Sequence, residues 1–264
     1  MSLAVILKHP ELPDYFTEVD GNSSIVEEYE AGKVIVAGRP LDINTNFWAS
    51  LVEAERAPVL KKLLMLLNGE PLRDLTTFGL PSSANEELAR VRDQILPLYK
   101  RLFGGYRFTK PKAALRLHTI HAENLHVDLY KSEYPEHTAR LFINLDNQPR
   151  IWQTSYTFEQ MFEKYSEMIP KDVLLGNNRE DIRRALCLAC FGQMRFDRWD
   201  NQPRHVAFFD PGEVWMVDVC QVSHQIFYGR RAMSVDFLVD AGSMKRPDSH
   251  RHAMVDRLRH GMRS

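Results

Sequence analysis

Leu125-His126-Val127-Asp128-Leu129 is the stretch on which the reading of this chain turns. Apolar and polar residues alternate along it, the period of a half-buried β-strand. Successive side chains on a strand point to opposite faces, so His126 and Asp128 share a face, about 7 Å apart along the chain. One imidazole nitrogen and one carboxylate oxygen can then reach a common metal ion. A histidine from a distant strand would complete a set of two histidines and one carboxylate. That set leaves open positions on ferrous iron and is the signature of non-haem Fe(II) oxygenases. His224, in Val222-Ser223-His224-Gln225-Ile226, is the histidine expected to complete it.

The segments on either side are short and rich in branched, aromatic or alternating residues. Ala113–Ile120, Leu125–Tyr130, Ala139–Leu145 and Arg150–Thr154 form a first block of strands, with Asp146-Asn147-Gln148-Pro149 among the turns. A helical period returns at Phe158–Met168 and Arg179–Phe191. A second block of strands follows at His205–Phe209, Val214–Val219, Gln221–Tyr228 and Ala232–Val239. About eight strands on short turns favour antiparallel pairing in a barrel or jelly roll that closes its own edges. The first hundred residues read mostly as helix. Phe47–Asn68 carries apolar residues every three or four positions, broken at Pro58. A second helix is capped by Ser83, presents Leu88, Val91, Ile95, Leu98 and Leu102 as one stripe, and ends at Gly104-Gly105. The expectation is a single domain of the α+β class, an all-β, cupin-like core with flanking helices. Residues 1–105 form a mainly helical flank, 106–240 the core with a helical insert at about 157–191, and 241–264 a polar tail.

Composition excludes several classes. The chain has 264 residues, 44% hydrophobic and 26% charged, which is ordinary globular usage. Thirty-four basic residues against thirty-five acidic ones give a net charge of −1, which argues against a nucleic-acid partner. No apolar run approaches the roughly 18 residues of a membrane span, and the first residues lack the pattern of a signal peptide. Three cysteines cannot all pair, so the expected location is the reducing cytoplasm, with peripheral contact at the inner membrane face left open. Cys187-Leu188-Ala189-Cys190 lies in an apolar helical stretch and reads as two buried thiols rather than a redox pair. Cys220 and Trp215 read as core residues. His118 and His121 alternate along a strand, so a shared zinc is disfavoured and His118 reads as a pocket-wall residue. His250 and His252 read as a solvated tail.

His126-Val127-Asp128, the strand Arg140-Leu141-Phe142-Ile143-Asn144, and Pro149-Arg150-Ile151-Trp152 running into the helix at Phe158–Met168 together resemble the Kdo hydroxylase family. So does Asp210-Pro211-Gly212-Glu213-Val214-Trp215 leading to His224. The resemblance spans roughly Leu115 to Val239. It implies a double-stranded β-helix, Fe(II) and 2-oxoglutarate as cofactors, dioxygen as co-reactant, and hydroxylation of an unactivated C–H bond in a sugar acid. The metal ligands implied are His126, Asp128 and His224. The far carboxylate of 2-oxoglutarate needs a cation, for which Arg231, Arg140 and Arg116 are the candidates, with Asn144 and Trp152 lining the cosubstrate pocket. Arg116, His118, Tyr130 and Lys131 are the expected substrate-facing residues. Where the family follows its acidic ligand with a small residue, an aromatic and proline, this chain has Leu129-Tyr130-Lys131. A lipid-linked Kdo sugar, a free amino acid and a natural-product intermediate all remain as substrates, and a non-catalytic cupin-like metal- or sugar-binding protein is the alternative from another class. Oligomeric state is not read from the sequence.

Overall fold

A computed structural model describes residues 4–51, 63–66, 74–117, 124–128, 136–176, 178–192 and 201–261, with the backbone alone at 63–66, 78 and 109–117. Eleven strands among these residues form two sheets. The smaller has four strands in the order β1 (Val5–Leu7), β8 (His205–Phe209), β7 (Arg150–Thr157), β10 (Val222–Tyr228). The larger has seven, in the order β2 (Phe16–Val19), β3 (Val34–Ala37), β9 (Val214–Met216), β6 (His137–Asn144), β11 (Arg231–Val239), β5 (Phe108–Leu117), β4 (Leu63–Leu66). Every pairing is antiparallel except β2 with β3. The chain changes sheet at β1–β2, β6–β7, β8–β9, β9–β10 and β10–β11, while β2 to β6 all lie in the larger sheet and β7 and β8 both lie in the smaller. The turn before β9 depends on Gly212, which has φ +81° and packs so closely that a Cβ there would meet the Leu41 carbonyl at 2.8 Å.

Alternation along the strands divides the core. On β6, Ala139, Leu141 and Ile143 face helix α3 (Ser83–Leu102), while Phe142 points between the sheets. There it joins Trp152, Phe209 and Trp215, with the Phe209 and Trp215 rings stacked at 4.0 Å. The stripe Leu88, Val91, Ile95, Leu98, Leu102 read from the sequence packs on the outer face of the larger sheet with Met233, Val235 and Phe237. A third cluster gathers α4 (Phe158–Tyr165), α6 (Arg179–Phe191) and α7 (Arg251–Gly261) against Leu125 and Val127. Cys187 and Cys190 are buried in that cluster; they and Cys220 are free thiols.

The N-terminal third departs from the mainly helical flank expected of it. Among the described residues it supplies β1, β2, β3 and β4, and its α-helices besides α3 are the short α1 (Val26–Glu30) and α2 (Thr45–Ser50). Leu63–Leu66, expected inside a helix, pairs with Leu115–Lys112 of β5. Four consecutive apolar residues satisfy a helical stripe and a strand buried on both faces equally well. The α3 N-cap is Ser82 rather than Ser83. The tail is less solvated than expected. His250 is buried, and its ring lies 6.4 Å from that of His137 and 5.1 Å from that of His252. No helix among the described residues is long and apolar enough to cross a membrane.

Candidate metal centre

His126 makes an isolated antiparallel bridge with His224, adding one rung to the free side of β10. Its N–H donates to the His224 carbonyl at 3.1 Å, and the His224 N–H returns the bond at 2.8 Å. Asp128 is held by its own N–H, which donates to the Val219 carbonyl at 2.8 Å. The two imidazoles therefore come together with their ring centroids 4.6 Å apart. The Asp128 Oδ1 lies 3.4 Å from His126 Nε2 and 3.8 Å from His224 Nε2. One ligand atom from each of the three residues falls within 4.8 Å of the others.

The second nitrogen of each ring decides what the first can do. His126 Nδ1 lies 2.7 Å from the Asn124 carbonyl and His224 Nδ1 lies 3.1 Å from the Val222 carbonyl. A carbonyl can only accept, so each Nδ1 carries the proton and each Nε2 presents a lone pair. Burial works against charge on Asp128, but the Arg140 guanidinium bonded to it outweighs that cost and holds the carboxyl well below the usual carboxylate range. Two nitrogen lone pairs and a carboxylate oxygen facing a common point is an arrangement a divalent cation satisfies. The nitrogen and oxygen donors suit ferrous iron, and Nδ1 bonds to carbonyls are how metal-bound histidines are commonly oriented.

Arg140 reaches the cluster from the larger sheet. Its Nη1 donates to Asp128 Oδ2, and its Nε and Nη2 donate to Asp236, the Nη2 bond at 3.2 Å. Trp152 sits at the edge, its ring 5.4 Å from that of His224. Thr154, opposite His224 in the β7–β10 register, accepts from the Tyr15 hydroxyl at 2.6 Å. Asn144 lies further along β6, where its amide donates to the carbonyls of Gln148 and Phe209 at 2.8 and 2.9 Å, closing the β6–β7 turn onto β8. Arg231 is turned away from the cluster. It shares a face of β11 with Met233 and Val235 toward α3, and its Nε donates to the Trp48 carbonyl at 3.2 Å. Arg116 stands opposite Ala232 in the β5–β11 register. His118, Tyr130 and Lys131 lie outside the described residues.

Three residues near the cluster were not singled out from the sequence. Asp236 is one; an acid in the middle of an apolar strand was its visible signal. Arg183 is fully buried on α6, stacked 4.5 Å over the Phe158 ring, and its Nη2 donates to the Cys220 carbonyl at 2.6 Å and the Asp128 carbonyl at 3.4 Å. Tyr29 accepts from the Arg140 backbone N–H at 2.9 Å and donates to the Thr138 and Val217 carbonyls at 2.9 and 3.0 Å. No local pattern marks either one, because their partners are backbone groups more than thirty residues away.

No family model matches this sequence, and no curated protein matches it either. Solved structures do. A crystal structure of the Kdo hydroxylase KdoO, a non-haem Fe(II) alphaketoglutarate-dependent dioxygenase, in complex with succinate and Fe(III) is 16% identical, with a TM-score of 0.62 over 95% of this chain and 96% of that one. The same enzyme with alphaketoglutarate and Fe(III) is 17% identical, with a TM-score of 0.61 over 92% of this chain and 95% of that one. Its apo structure is likewise 17% identical, with a TM-score of 0.61 over 94% and 96%. Over nearly its whole length, this chain has the fold of those structures.

Proposed function

We propose that this protein is a non-haem Fe(II)/2-oxoglutarate-dependent dioxygenase that hydroxylates an unactivated C–H bond of a small polar substrate. The convergence of the His126 and His224 Nε2 atoms on the Asp128 carboxylate carries the reading. Two further observations support it. The two sheets, with the chain crossing between them at β6–β7, β8–β9, β9–β10 and β10–β11, are read as a double-stranded β-helix. The solved structures that share the fold are of an enzyme described as Fe(II)- and alphaketoglutarate-dependent.

Bound iron and 2-oxoglutarate would supply the oxidising chemistry: dioxygen places one oxygen atom in succinate and the other in the substrate hydroxyl, with loss of carbon dioxide. The chain's own residues bind, orient and exclude water. His126 and His224 are aimed by the carbonyls of Asn124 and Val222, which hold a proton on Nδ1 and turn Nε2 toward the site. Asp128 is kept charged by Arg140. Trp152 and Phe142 close the space between the sheets beside His224 and Arg140. For the far carboxylate of 2-oxoglutarate we favour Arg116. Arg140 already serves two carboxylates, Arg231 faces α3, and Arg116 holds a register position opposite Ala232, on the alternation of β11 that also carries Asp236. His118, Tyr130 and Lys131, which flank the His-x-Asp pair in sequence, are assigned to the substrate. Likeness of fold to the Kdo hydroxylase favours a sugar acid. The three free thiols suit a reducing cytoplasm.

The test is spectroscopic and catalytic. Anaerobic protein given Fe(II) and 2-oxoglutarate should develop a weak visible metal-to-ligand charge-transfer band, and oxygen should then yield succinate. His126→Ala and Asp128→Ala should abolish the band and reduce succinate formation at least about 1000-fold while the protein stays folded. A folded wild type with no band would assign the chain to metal or sugar binding without turnover. Full activity in either variant would remove the metal assignment.

A further inference from the structure

Asp236 and Arg140 are direct partners across β11 and β6, paired in register. Arg140 is nine per cent exposed, and its fork is engaged at both ends: Nε and Nη2 on Asp236, Nη1 on Asp128 Oδ2. Only Nη1 thus reaches the metal-site carboxylate. Asp128 Oδ1 is left on the side where the two imidazole nitrogens lie at 3.4 and 3.8 Å. A guanidinium without its own carboxylate behaves differently, because it binds a second carboxylate through two parallel N–H bonds and takes both oxygens. Its full positive charge would also oppose a metal cation on the far side of Asp128.

We propose that Asp236 is a positioning residue that acts through Arg140. By holding one edge of the guanidinium it restricts Arg140 to a single oxygen of Asp128, which leaves the other for the metal and offsets the arginine's charge. The proposal rests on His126, Asp128 and His224 being the metal ligands, and the experiment separates the two ideas.

The probe is Co(II), titrated into the metal-free protein and followed by calorimetry and by its visible d–d bands. Wild type should bind one equivalent, and His126→Ala none. Asp236→Asn keeps size and shape but frees the guanidinium. It should bind Co(II) about 10–100-fold more weakly, as loss of a group that orients a metal ligand does, and should show altered d–d bands at saturation. Its metal-free melting temperature should stay within a few degrees of wild type. Arg140→Lys, which keeps the charge but not the fork, should shift affinity and spectrum the same way. Wild-type affinity and spectrum in both variants, with binding lost in His126→Ala, would overturn the role of Asp236 and leave the metal site standing. Absence of Co(II) binding by wild type would overturn the metal site and the proposal with it. Should Asp236→Asn fail to fold, Arg140→Lys decides by the same two readings.

Discussion

Glu213 closes the Asp210-Pro211-Gly212 turn, where its Oε2 accepts from the Asp210 N–H at 2.6 Å. It is completely buried, and its Oε1 has no hydrogen-bond partner among the described residues. Burial, with the nearby carboxylates of Asp210 and Glu18, pushes it up to about 7 from an ordinary 4.5. The folded state therefore favours the protonated acid. The stability this contributes is complete below pH 4.5 and is lost as pH rises through 7, an effect on the order of 3 kcal/mol. Denaturant melts between pH 5 and pH 8 should show that decline. Glu213→Gln, which copies the neutral acid, should flatten it while leaving stability at pH 5 nearly unchanged. The same residue-by-residue logic separates what the sequence could tell from what it could not. Arg231, a cosubstrate candidate although it follows His224 closely, lies in phase with Met233, Val235 and Phe237 and out of phase with Ser234 and Asp236, an alternation that sets it on the α3 side. The His126–Asp128 pair was readable because a two-residue spacing acts locally, although the described part of the expected strand Leu125–Tyr130 forms only an isolated bridge at His126. The Arg140–Asp236 pair was not, because it depends on which strands become neighbours.

Elements with a clear period were located nearly residue by residue: α6 and β8 have the bounds the sequence suggests. The short strands β1, β2 and β3 were missed. Three or four residues are too few to establish a period against a helical reading, and the sheet rather than local propensity holds them extended. The tail was misjudged for another reason. Its histidines look solvent-facing by composition, but α7 packs Met254 and Val255 into the cluster with α4 and α6 and carries the histidines inward with them. Burial, followed by the charge of Arg251 and the neighbouring histidines, pushes His250 down to about 4, and His252 falls to the same value chiefly by burial and Arg251. Both are neutral in the fold and would take up protons near pH 6.5 when released. Their contribution to stability is complete above pH 6.5 and is lost as pH falls through 4. Intrinsic amide exchange slows as pH falls from 6 to 4, so the readout is protection: the ratio of intrinsic to observed exchange rate in α7 should fall over that range. His250→Gln should remove about half of that acid sensitivity. An exchange profile in α7 indistinguishable from that of α3 over this range would show that the histidines do not govern its docking.

At the scale of the molecule, the proposed centre is assembled from both sheets. His224 is on the smaller sheet and draws His126 to it through one bridge. Arg140 and Asp236 belong to the larger sheet and reach Asp128 from the other side. The segment 124–128 thus has little ladder of its own: a backbone bridge at His126, one bond from Asp128 to Val219, and the Arg183 contact behind it. A ligand that ties Asp128 to the two imidazoles would add a link between this segment and β10 that the unfolded chain cannot form. Such linkage stabilises by about 2.7 kcal/mol at a hundredfold excess over the dissociation constant. For a chain of this size that is a rise of roughly 5–10 °C in melting temperature. Anaerobic melts with Co(II) and 2-oxoglutarate together should show a rise of that order. The gain should exceed that from Co(II) alone, because the keto acid binds the loaded site. Should Arg116→Ala retain the Co(II) gain but lose the increment from 2-oxoglutarate, the arginine's place at the far carboxylate is supported; retention of both gains would remove it. His224→Ala should lose both, since it removes the imidazole contributed by β10. A wild type whose melting temperature does not move with either ligand would mean that the three side chains meet without forming a binding site, and the oxygenase reading would fall.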